Sequence, residues 1–366
     1  NKYKNMKARV IAMYLPQFHP FKENDEWWGK GFTEWTNVGK AKPLFRGHYQ
    51  PRVPADLGYY DLRLPIVREQ QAELAKKAGI EGFMYWHYWF GNGKTLLQDI
   101  FDDVVASGNP NFPFCVGWAN HEWSNKTWSK DNQKITRSVL MPMEYPGDYD
   151  YINHFNSLLT AFKDERYIKV DGKLLFVVWD PLGIPDVNHF VELWNRLAKE
   201  NGLVGFHFVG MSSEINRTLK CGFDAVSPNN QWLAESKLNG GHFLHALKNK
   251  LREKYPRLVP LDVYSYKKII KFLLTDNGKE EFIYPQIIPN WDRSPRAGRK
   301  AVIYTGSTPQ LFAKLVQDAI KLISKKKDEH KILFLRSWNE WAEGNYMEPD
   351  LKFGKGYLDA LRDCLK

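Results

Sequence analysis

Eight short apolar runs recur along the chain, and most of them are followed by polar residues and then by a segment with helical periodicity. Apolar runs that alternate with helices are typical of parallel strands buried on both faces. Eight such strands close a (β/α)8 TIM barrel, so the predicted fold class is α/β with that architecture. The predicted strands are Arg9–Leu15, Ile80–Tyr85, Phe112–Trp118, Leu174–Trp179, Phe206–Val209, Phe223–Val226, Phe282–Ile288 and Ile332–Ser337.

A doubly wound open sheet is the alternative for the same alternation of strands and helices. Proteins of that class commonly bind phosphates through a glycine-rich loop after a strand, and the sequence has no such loop. The barrel is therefore favoured. We predict a single catalytic domain over residues 1–366, with long βα-loop insertions at 16–63 and at about 230–280. The first is predicted to be a long structureless loop, which is usually functional, and the second to be partly helical.

The last predicted strand leads into the most informative stretch of the chain. Glu340 and Glu343 follow it, three residues apart, between and beside Trp338 and Trp341. In a helical or turn-like segment this spacing places both carboxylates on one face. Paired carboxyl groups are what glycoside hydrolysis requires. A solvated helix face would show the same spacing, but its position directly after a buried strand favours a catalytic pair.

Polar and aromatic residues also follow the other predicted strands. In a barrel all of these segments lie at one end, where tryptophan and tyrosine can stack on sugar rings and polar groups can bind hydroxyls. In the long loop, Trp27, Trp28 and Trp35 are expected to shape the rim of the site; anchoring of the loop is the alternative. The predicted substrate-binding residues are Tyr14, His19, Trp35, His87, Tyr88, Trp118, Asn120, Trp179, Trp291, Asp292 and Asn339.

The net charge of +10 permits an anionic partner. The excess is spread through lysine-rich helices, and no nucleic-acid-binding motif is present. The predicted partner is therefore an oligo- or polysaccharide and not a nucleic acid. An anionic substrate, such as a sugar diphosphate or an acidic glycan, is a milder interpretation of the charge. No apolar run approaches the length of a membrane span, so stable membrane insertion is not expected.

Other chemistries find less support in the sequence. His19, His87 and His121 together with an acid could ligate a metal, but no pair has the close spacing of a zinc motif, so neither a metal nor another cofactor is predicted. Three distant cysteines argue against a disulfide framework. No signal peptide is visible, which favours the cytoplasm, or the periplasm if a signal peptide had been removed. The oligomeric state stays open.

Four motifs resemble the WbsX-like family, which is associated with polysaccharide and lipopolysaccharide biosynthesis and is related to glycoside hydrolase family 99. The similarity spans about Arg9 to Pro349. The motifs are YLPQFHP at Tyr14–Pro20, NDEWWGKGFTEWTNV at Asn24–Val38, WHYWF at Trp86–Phe90 and WNEWAEG at Trp338–Gly344. The motif at Asn24–Val38 belongs to the WbsX-like pattern and not to family 99.

The resemblance implies a (β/α)8 barrel that acts on glycosidic bonds. Family 99 contains retaining endo-α-mannosidases, and in the corresponding motif the first glutamate is a base on the sugar 2-hydroxyl while the second is the general acid and base. Carried over, Glu340 takes the first role and Glu343 the second. This chain has Ala342 where that family commonly has histidine. With these roles we expect a raised pKa for Glu343 and an ionised Glu340.

Three functions follow as hypotheses. The first is a retaining, endo-acting, α-mannosidase-like glycoside hydrolase. The second is a glycosyltransferase of bacterial polysaccharide assembly, although the sequence has no phosphate loop and we predict no Asp-x-Asp metal site. The third is a carbohydrate-binding protein without catalysis, which would need the aromatic residues but not both glutamates.

Overall fold

The computed structural model describes residues 2–124 and 138–366. Its centre is a ring of eight parallel strands whose side chains are almost all buried. The strands are β1 (Arg9–Tyr14), β2 (Gly82–Trp89), β3 (Phe114–Trp118), β4 (Lys173–Val178), β5 (Phe206–Gly210), β6 (Ala225–Val226), β7 (Gln286–Ile287) and β8 (Ile332–Leu335).

The strands follow each other around the ring in chain order, and β1 pairs with β8. The ring closes between β6 and β7 through a short parallel bridge of Val226 with Ile283. The Val226 N–H donates to Phe282 O (2.8 Å), and the Tyr284 N–H donates to Val226 O (2.9 Å). The predicted (β/α)8 barrel is thus confirmed.

The sixth and seventh strands are shorter than predicted. Only Ala225–Val226 and Gln286–Ile287 lie in regular ladders. In the seventh run, residues 282–284 bond to one neighbour and Gln286–Ile287 to the other. Pro285 lies between them and has no N–H to donate to a ladder, which accounts for the break.

Helices surround the ring and follow most of the strands. The helix Pro309–Ile323 begins after Thr308, whose Oγ1 accepts from Leu311 N–H (3.2 Å), and Pro309 occupies its first turn, as predicted for a helix start. The helices are α1 (Lys22–Trp28), α2 (Glu34–Lys40), α3 (Pro65–Lys77), α4 (Asp99–Ser107), α5 (Asp148–Phe162), α6 (Val187–Glu200), α7 (Ile215–Lys220), α8 (Gln231–Leu238), α9 (His242–Lys254), α10 (Tyr266–Leu273), α11 (Ser294–Ala297), α12 (Pro309–Ile323) and α13 (Gly356–Leu365).

The long loop at 16–63 is not structureless, because it contains α1 and α2. Thr33 and Thr36 form a reciprocal capping box at the start of α2. Trp35 then fixes this helix: its ring packs against Phe18 and Trp341, and its Nε1–H donates to Tyr60 O (2.7 Å). Local capping and one buried indole thus order a segment that lacks long-range periodicity.

The insertion at about 230–280 contains α8, α9 and α10. A strand between α9 and α10, Asp262–Ser265, pairs in parallel with Val302–Thr305, which lies in the loop after β7. The insertion before β7 therefore supports the loop that follows β7. The remaining short strands are Thr95–Leu96, Trp123–Ser124, Val139–Met141, Lys169–Val170, Asn339–Glu340 and Asn345–Tyr346. In the described parts of the chain, no helix combines the length and apolarity needed to cross a membrane.

Candidate active site

A cavity of about 340 Å³ opens at the carboxyl ends of the barrel strands. This volume lies in the range of small-molecule sites. Strands β1 and β2 contribute alternate residues to its wall, and the loops after β3, β4, β7 and β8 contribute the rest. The aromatic lining consists of Trp86, Tyr88, Trp123, Trp179 and Trp291, and the charged lining consists of Glu122, Arg293, Arg296, Arg336, Glu340 and Glu343.

Glu340 and Glu343 both face this cavity because a 3₁₀ turn, Trp341–Glu343, follows β8. One guanidinium holds both carboxylates. Arg296 donates from Nη1 to Glu343 Oε1 (2.7 Å) and from Nη2 to Glu340 Oε1 (3.2 Å). The turn thus places the two predicted catalytic side chains beside each other, as their spacing indicated, with a buried cation shared between them.

Gly344 ends this turn in the left-handed conformation, at φ 68°. A Cβ at this position would meet the backbone N of Asp292 at 2.7 Å, so only glycine lets the loops after β7 and β8 approach so closely. The Asp292 N–H donates to Glu343 O (2.7 Å) at the same point. This contact fixes the glutamate turn against the loop that carries the arginines.

The charges around the two glutamates differ in a way that the sequence did not indicate. Burial raises the pKa of Glu340 well above its ordinary value, against the opposing charge of Arg296. Burial acts on Glu343 in the same direction, but Arg293, Arg296 and Arg336 together outweigh it and lower the pKa of Glu343. The pKa values of the two glutamates are thus shifted in opposite directions, with that of Glu343 lowered and that of Glu340 raised. The expectation of a raised pKa for Glu343 is therefore wrong, and the raised pKa of Glu340 is opposite to the shift that an ionised Glu340 would need.

A third carboxylate reaches the same guanidinium from the long loop. Glu34, at the start of α2, lies 3.0 Å from Arg296 Nη2 and is 1% exposed. Burial raises its pKa, against the charge of Arg296. Arg296 thus joins the long loop, the loop after β7 and the turn after β8.

Three of the predicted substrate-binding residues line the cavity. They are Tyr88 at the end of β2, Trp179 after β4 and Trp291 after β7. Tyr88 is oriented by Gln17, whose Nε2 donates to its hydroxyl (2.9 Å). These aromatic side chains share the cavity with both predicted catalytic glutamates.

Tyr14 and His87 do not line the cavity, which corrects their predicted role as substrate ligands. Side chains alternate along a strand, so Met13 and Leu15 line the cavity while Tyr14 points outward and donates to Gln71 (2.6 Å). His87 likewise points away, between Trp86 and Tyr88. A shift of one residue along a strand moves a side chain from the cavity side to the outer side of the barrel.

His87 instead belongs to a buried pair of histidines. Its Nε2 lies 2.8 Å from Nε2 of His154 on α5, and its Nδ1 lies 2.8 Å from Gln98 Oε1. Burial lowers the pKa of His87 to about 4, which keeps the ring neutral at physiological pH. Its role is to hold α5 against β2.

Trp118, Asn120 and Asn339 also lie outside the cavity lining and brace the strand ends. Trp118 is 1% exposed and donates to Trp89 O (2.9 Å). Asn120 exchanges two hydrogen bonds with the backbone of Asp180, at 2.7 and 2.8 Å. Asn339 does the same with the backbone of Leu15. Amides satisfy backbone donor and acceptor together, which explains their place at strand ends.

Asp292 lies outside the cavity lining and connects loops. Its carboxylate accepts from His48 Nε2 (2.7 Å), Gln50 Nε2 (3.0 Å) and the Ser294 N–H (2.9 Å). Although burial opposes it, the His48 hydrogen bond and the charge of Arg52 lower the pKa of Asp292. The residue fixes the long loop to the loop after β7.

Trp35 and His19 complete the predicted set, and both lie outside the cavity lining. Trp35 anchors α2, which is the alternative stated for it. His19 borders a second, separate cavity beside α4, and its Nδ1 lies 2.9 Å from Pro20 O. Of the other loop tryptophans, Trp27 packs near Trp123 at the cavity wall and Trp28 packs on Phe32.

Sequence reasoning did not single out the three arginines of the cavity. Two of them, Arg293 and Arg296, are three residues apart in the loop after β7, and that spacing near a strand end was an available signal. Arg336 follows β8 directly. The predicted site consists of carboxylate, aromatic, amide and imidazole side chains and contains none of the three arginines. In residues 2–124 and 138–366, no group of three or more His, Cys, Asp or Glu is arranged to hold a metal.

A parallel barrel with paired glutamates among tryptophans at its carboxyl end defines a carbohydrate-active enzyme. The sequence matches the family described as Glycosyltransferase WbsX over residues 10–361, and the chain belongs to that family. The resemblance inferred from the motifs is thus confirmed.

Two curated relatives are described as uncharacterized protein WxcX, from strains B100 and ATCC 33913 of Xanthomonas campestris pv. campestris. Each is 32% identical over 366 residues, which is 98% of this chain and 50% of the relative. The chain thus spans about half the length of these proteins, so a single-domain organisation stays a prediction.

Solved structures share the fold. A glycoside hydrolase-like protein superposes with a TM-score of 0.60 at 16% identity, covering 99% of this chain and 95% of that one. The GH99 endo-α-mannosidase of Bacteroides thetaiotaomicron, in complex with bis-tris-propane, superposes with a TM-score of 0.54 at 12% identity, covering 97% and 95%. At these identities the likeness concerns the fold.

Proposed function

We propose that the chain is a retaining glycoside hydrolase, endo-acting and α-mannosidase-like, in which Glu340 and Glu343 are the reacting pair. The observation that carries this proposal is their shared position. Both glutamates face one cavity of about 340 Å³, and one guanidinium contacts both of them. Trp179 and Trp291 supply apolar faces for sugar rings in the same cavity.

The roles of the two glutamates follow the family 99 pattern in this proposal. Glu340 would take the proton of the sugar 2-hydroxyl, and Glu343 would protonate the leaving oxygen. The pKa shifts run opposite to these roles, because three arginines lower the pKa of Glu343. Substrate must therefore weaken the field of the arginines before Glu343 can hold a proton.

A glycosyltransferase is the second candidate, and the arginines are the observation that favours it. Arg293, Arg296 and Arg336 line one cavity, and guanidinium groups bind phosphates well. A sugar diphosphate donor would suit them. The family description also names this activity.

Activity assays on the purified protein separate the candidates. α-Mannans and acidic polysaccharides would be assayed for new reducing ends, and nucleotide sugars for released nucleotide, with wild type, Glu340→Gln and Glu343→Gln. Glu200→Gln, an exposed change on α6, is the matched control. We expect reducing ends from wild type and the control only. Nucleotide release that needs both glutamates would support the transferase. If the protein binds glycans but turns over none of these substrates, the third hypothesis, a carbohydrate-binding protein without catalysis, is supported. Localisation in the cytoplasm stays a prediction.

A further inference from the structure

Arg336 is a buried cation that makes no ion pair and no side-chain hydrogen bond with the described residues, although Glu340 and Glu343 lie near enough to act on its charge. It follows β8, lines the cavity and is 9% exposed. Its Nη1 is buried and bonds to no atom of the described residues. The backbone N–H donates to Ile287 O (2.9 Å), so the main chain is fixed while the charged group is not bound.

The other buried arginines show how unusual this is. Burying a charge is costly unless it is paired and hydrogen-bonded. Five further arginines are buried in residues 2–124 and 138–366, and every one has a hydrogen bond or an ion pair: Arg9, Arg52, Arg68, Arg252 and Arg296. Among the buried arginines of the described residues, Arg336 alone has neither a side-chain hydrogen bond nor an ion pair.

The surroundings of Arg336 define the space that a partner would occupy. The guanidinium carbon lies 5.0 Å from the ring centre of Trp291 and 5.6 Å from that of Trp179. Both rings line the same cavity. Glu340 and Glu343, which also line it, are bound by Arg296 and make no ion pair with Arg336. A group that meets Arg336 must thus enter from the cavity between two aromatic faces.

We propose that the sugar bound in this cavity carries an anionic group, a carboxylate or a phosphate ester, and that Arg336 binds it. The planar guanidinium matches either anion with two parallel hydrogen bonds. The tryptophans beside it would contact the apolar face of the same sugar ring. The substrate class is therefore an acidic glycan or a phosphorylated sugar, which deepens the proposed function and, as a statement about substrate, rests on it.

This assignment also explains how the site could acquire its proton. Arg336 is one of the three arginines that lower the pKa of Glu343. An anion bound to Arg336 would neutralise that contribution and raise the pKa of Glu343. Only a substrate with a negatively charged group would then raise the pKa of Glu343, so that Glu343 can act as the general acid.

Binding measurements test the proposal without any need for turnover. Titration calorimetry would compare two pairs of probes, D-glucuronate with D-glucose and D-mannose 6-phosphate with D-mannose, at concentrations up to roughly 100 mM. The proteins would be Glu343→Gln, the same protein with Arg336→Gln, and the same protein with Arg196→Gln. Arg196 lies on α6 with its side chain 65% exposed, so its removal controls for general attraction to a basic chain.

We expect at least one anionic probe to bind about tenfold or more tightly than its neutral partner. Arg336→Gln should abolish that preference while Arg196→Gln keeps it. A preference for glucuronate assigns a carboxylate, and one for mannose 6-phosphate assigns a phosphate. Equal binding of charged and neutral probes, no saturable anion binding at any concentration, or a preference that survives Arg336→Gln would each overturn the proposal.

The two proposals fail in different ways. If Glu340→Gln and Glu343→Gln keep full activity on a substrate, the reacting pair is wrong, but the anion preference of Arg336 still stands or falls by calorimetry. If the preference is absent while both glutamine variants are inactive, the pair stands and the substrate class is wrong. The melting temperature of Arg336→Gln, compared with Arg336→Met, shows whether a loss of binding reflects loss of fold.

Discussion

Arg9 and Arg336 belong to neighbouring strands of the same barrel, yet their environments are opposite. Arg9 begins β1 at the amino-terminal end. It donates to both carboxylate oxygens of Glu81 (2.9 Å each) and to the carbonyls of Glu329 and Lys169. Arg336 follows β8 at the other end and has no ion pair in the described parts of the chain. At the amino-terminal end the buried arginine is paired with a carboxylate of the protein. At the carboxyl end the buried arginine has no such pair and is able to bind a ligand.

The difference separates stability from function along the barrel axis. In barrel enzymes the carboxyl ends of the strands carry chemistry, and the opposite end contributes to stability. Here the carboxyl end holds three arginines and three glutamates around a cavity, with an unequal pairing of charges. Such a site lowers the stability of the protein, as functional sites commonly do. Substitutions at the two ends should therefore affect different measurements.

The largest effect is expected for the glutamates. Glu343→Gln and Glu340→Gln should each lower turnover by about 10²–10⁴-fold, because glutamine keeps the size of the side chain but cannot exchange a proton. Unfolding by urea should change little. Steady-state rates would show a smaller loss for Glu343→Gln with an activated leaving group, which needs little protonation. The loss in Glu340→Gln should persist with that substrate.

A 2-deoxy substrate sharpens this first prediction. It should be inert to the wild-type enzyme, because the 2-hydroxyl that Glu340 would activate is absent. Rapid cleavage of the 2-deoxy sugar would instead point to a carboxylate as the nucleophile. Full activity in both glutamine variants would refute the assignment of the pair.

At the opposite end, Arg9→Met should lower the free energy of unfolding by about 3–5 kcal/mol. The change leaves the Glu81 carboxylate buried, with a side chain only 7% exposed and no cation beside it. Adding Glu81→Leu should recover much of the loss, since removing both charges removes the unpaired one. Urea unfolding measures all three variants. Ligand binding at the cavity should be unaffected, and a loss of affinity without a loss of stability would contradict the division between the two ends.

The pH dependence of stability should also originate at the carboxyl end. Glu348 accepts from Tyr60 (2.6 Å), Gln71 (2.9 Å) and Trp341 (2.9 Å), yet burial raises its pKa to about 7. Because the folded state binds this proton more tightly than the unfolded chain, the stabilising contribution is complete below about pH 4.5. It is lost as the pH rises to about 7, by about 3 kcal/mol in total.

Urea unfolding of wild type and Glu348→Gln at several pH values between these limits tests this contribution. The variant should show a flatter profile by that amount, because its amide does not titrate. Identical slopes for the two proteins would show that Glu348 titrates in the folded state as it does in the unfolded chain.

The smallest effect is expected for Arg336→Met, which provides the direct counterpart of Arg9→Met. No direct ion pair is broken, and a buried charge is removed, so the free energy of unfolding should stay within about 1 kcal/mol of wild type or rise. A loss as large as that of Arg9→Met would show that Arg336 is a structural residue. Parallel urea titrations of both variants make the comparison.

The sequence was sufficient for the barrel because its strands are buried on both faces and read as continuous apolar runs. All eight runs contribute to the ring, and Pro285 accounts for the shortened seventh strand. The placement of Glu340 and Glu343 in one cavity followed from their spacing. Their catalytic roles stay a prediction.

The rest of the site depends on facts that a linear sequence does not carry. Tyr14 and His87 lie one position away from residues that line the cavity, and an apolar run buried on both faces gives no sign of which side faces inward. Arg296 meets Glu340 across 44 residues of sequence and Glu34 from a different loop. The pKa order of the glutamates depends on those long-range contacts.

The pairing of Arg9 with Ile332 means that β1 cannot complete its hydrogen bonding until β8 has been synthesised. Ile332 follows Arg9 by 332 − 9 = 323 positions, which a ribosome translating roughly 5–20 residues per second covers in on the order of half a minute. For that time β1 has an open apolar edge of the kind that invites aggregation. A nascent chain therefore cannot bring Glu340 and Glu343 to the barrel cavity until β8 has left the ribosome. A message truncated before that point would yield a fragment whose unpaired strand edge favours aggregation.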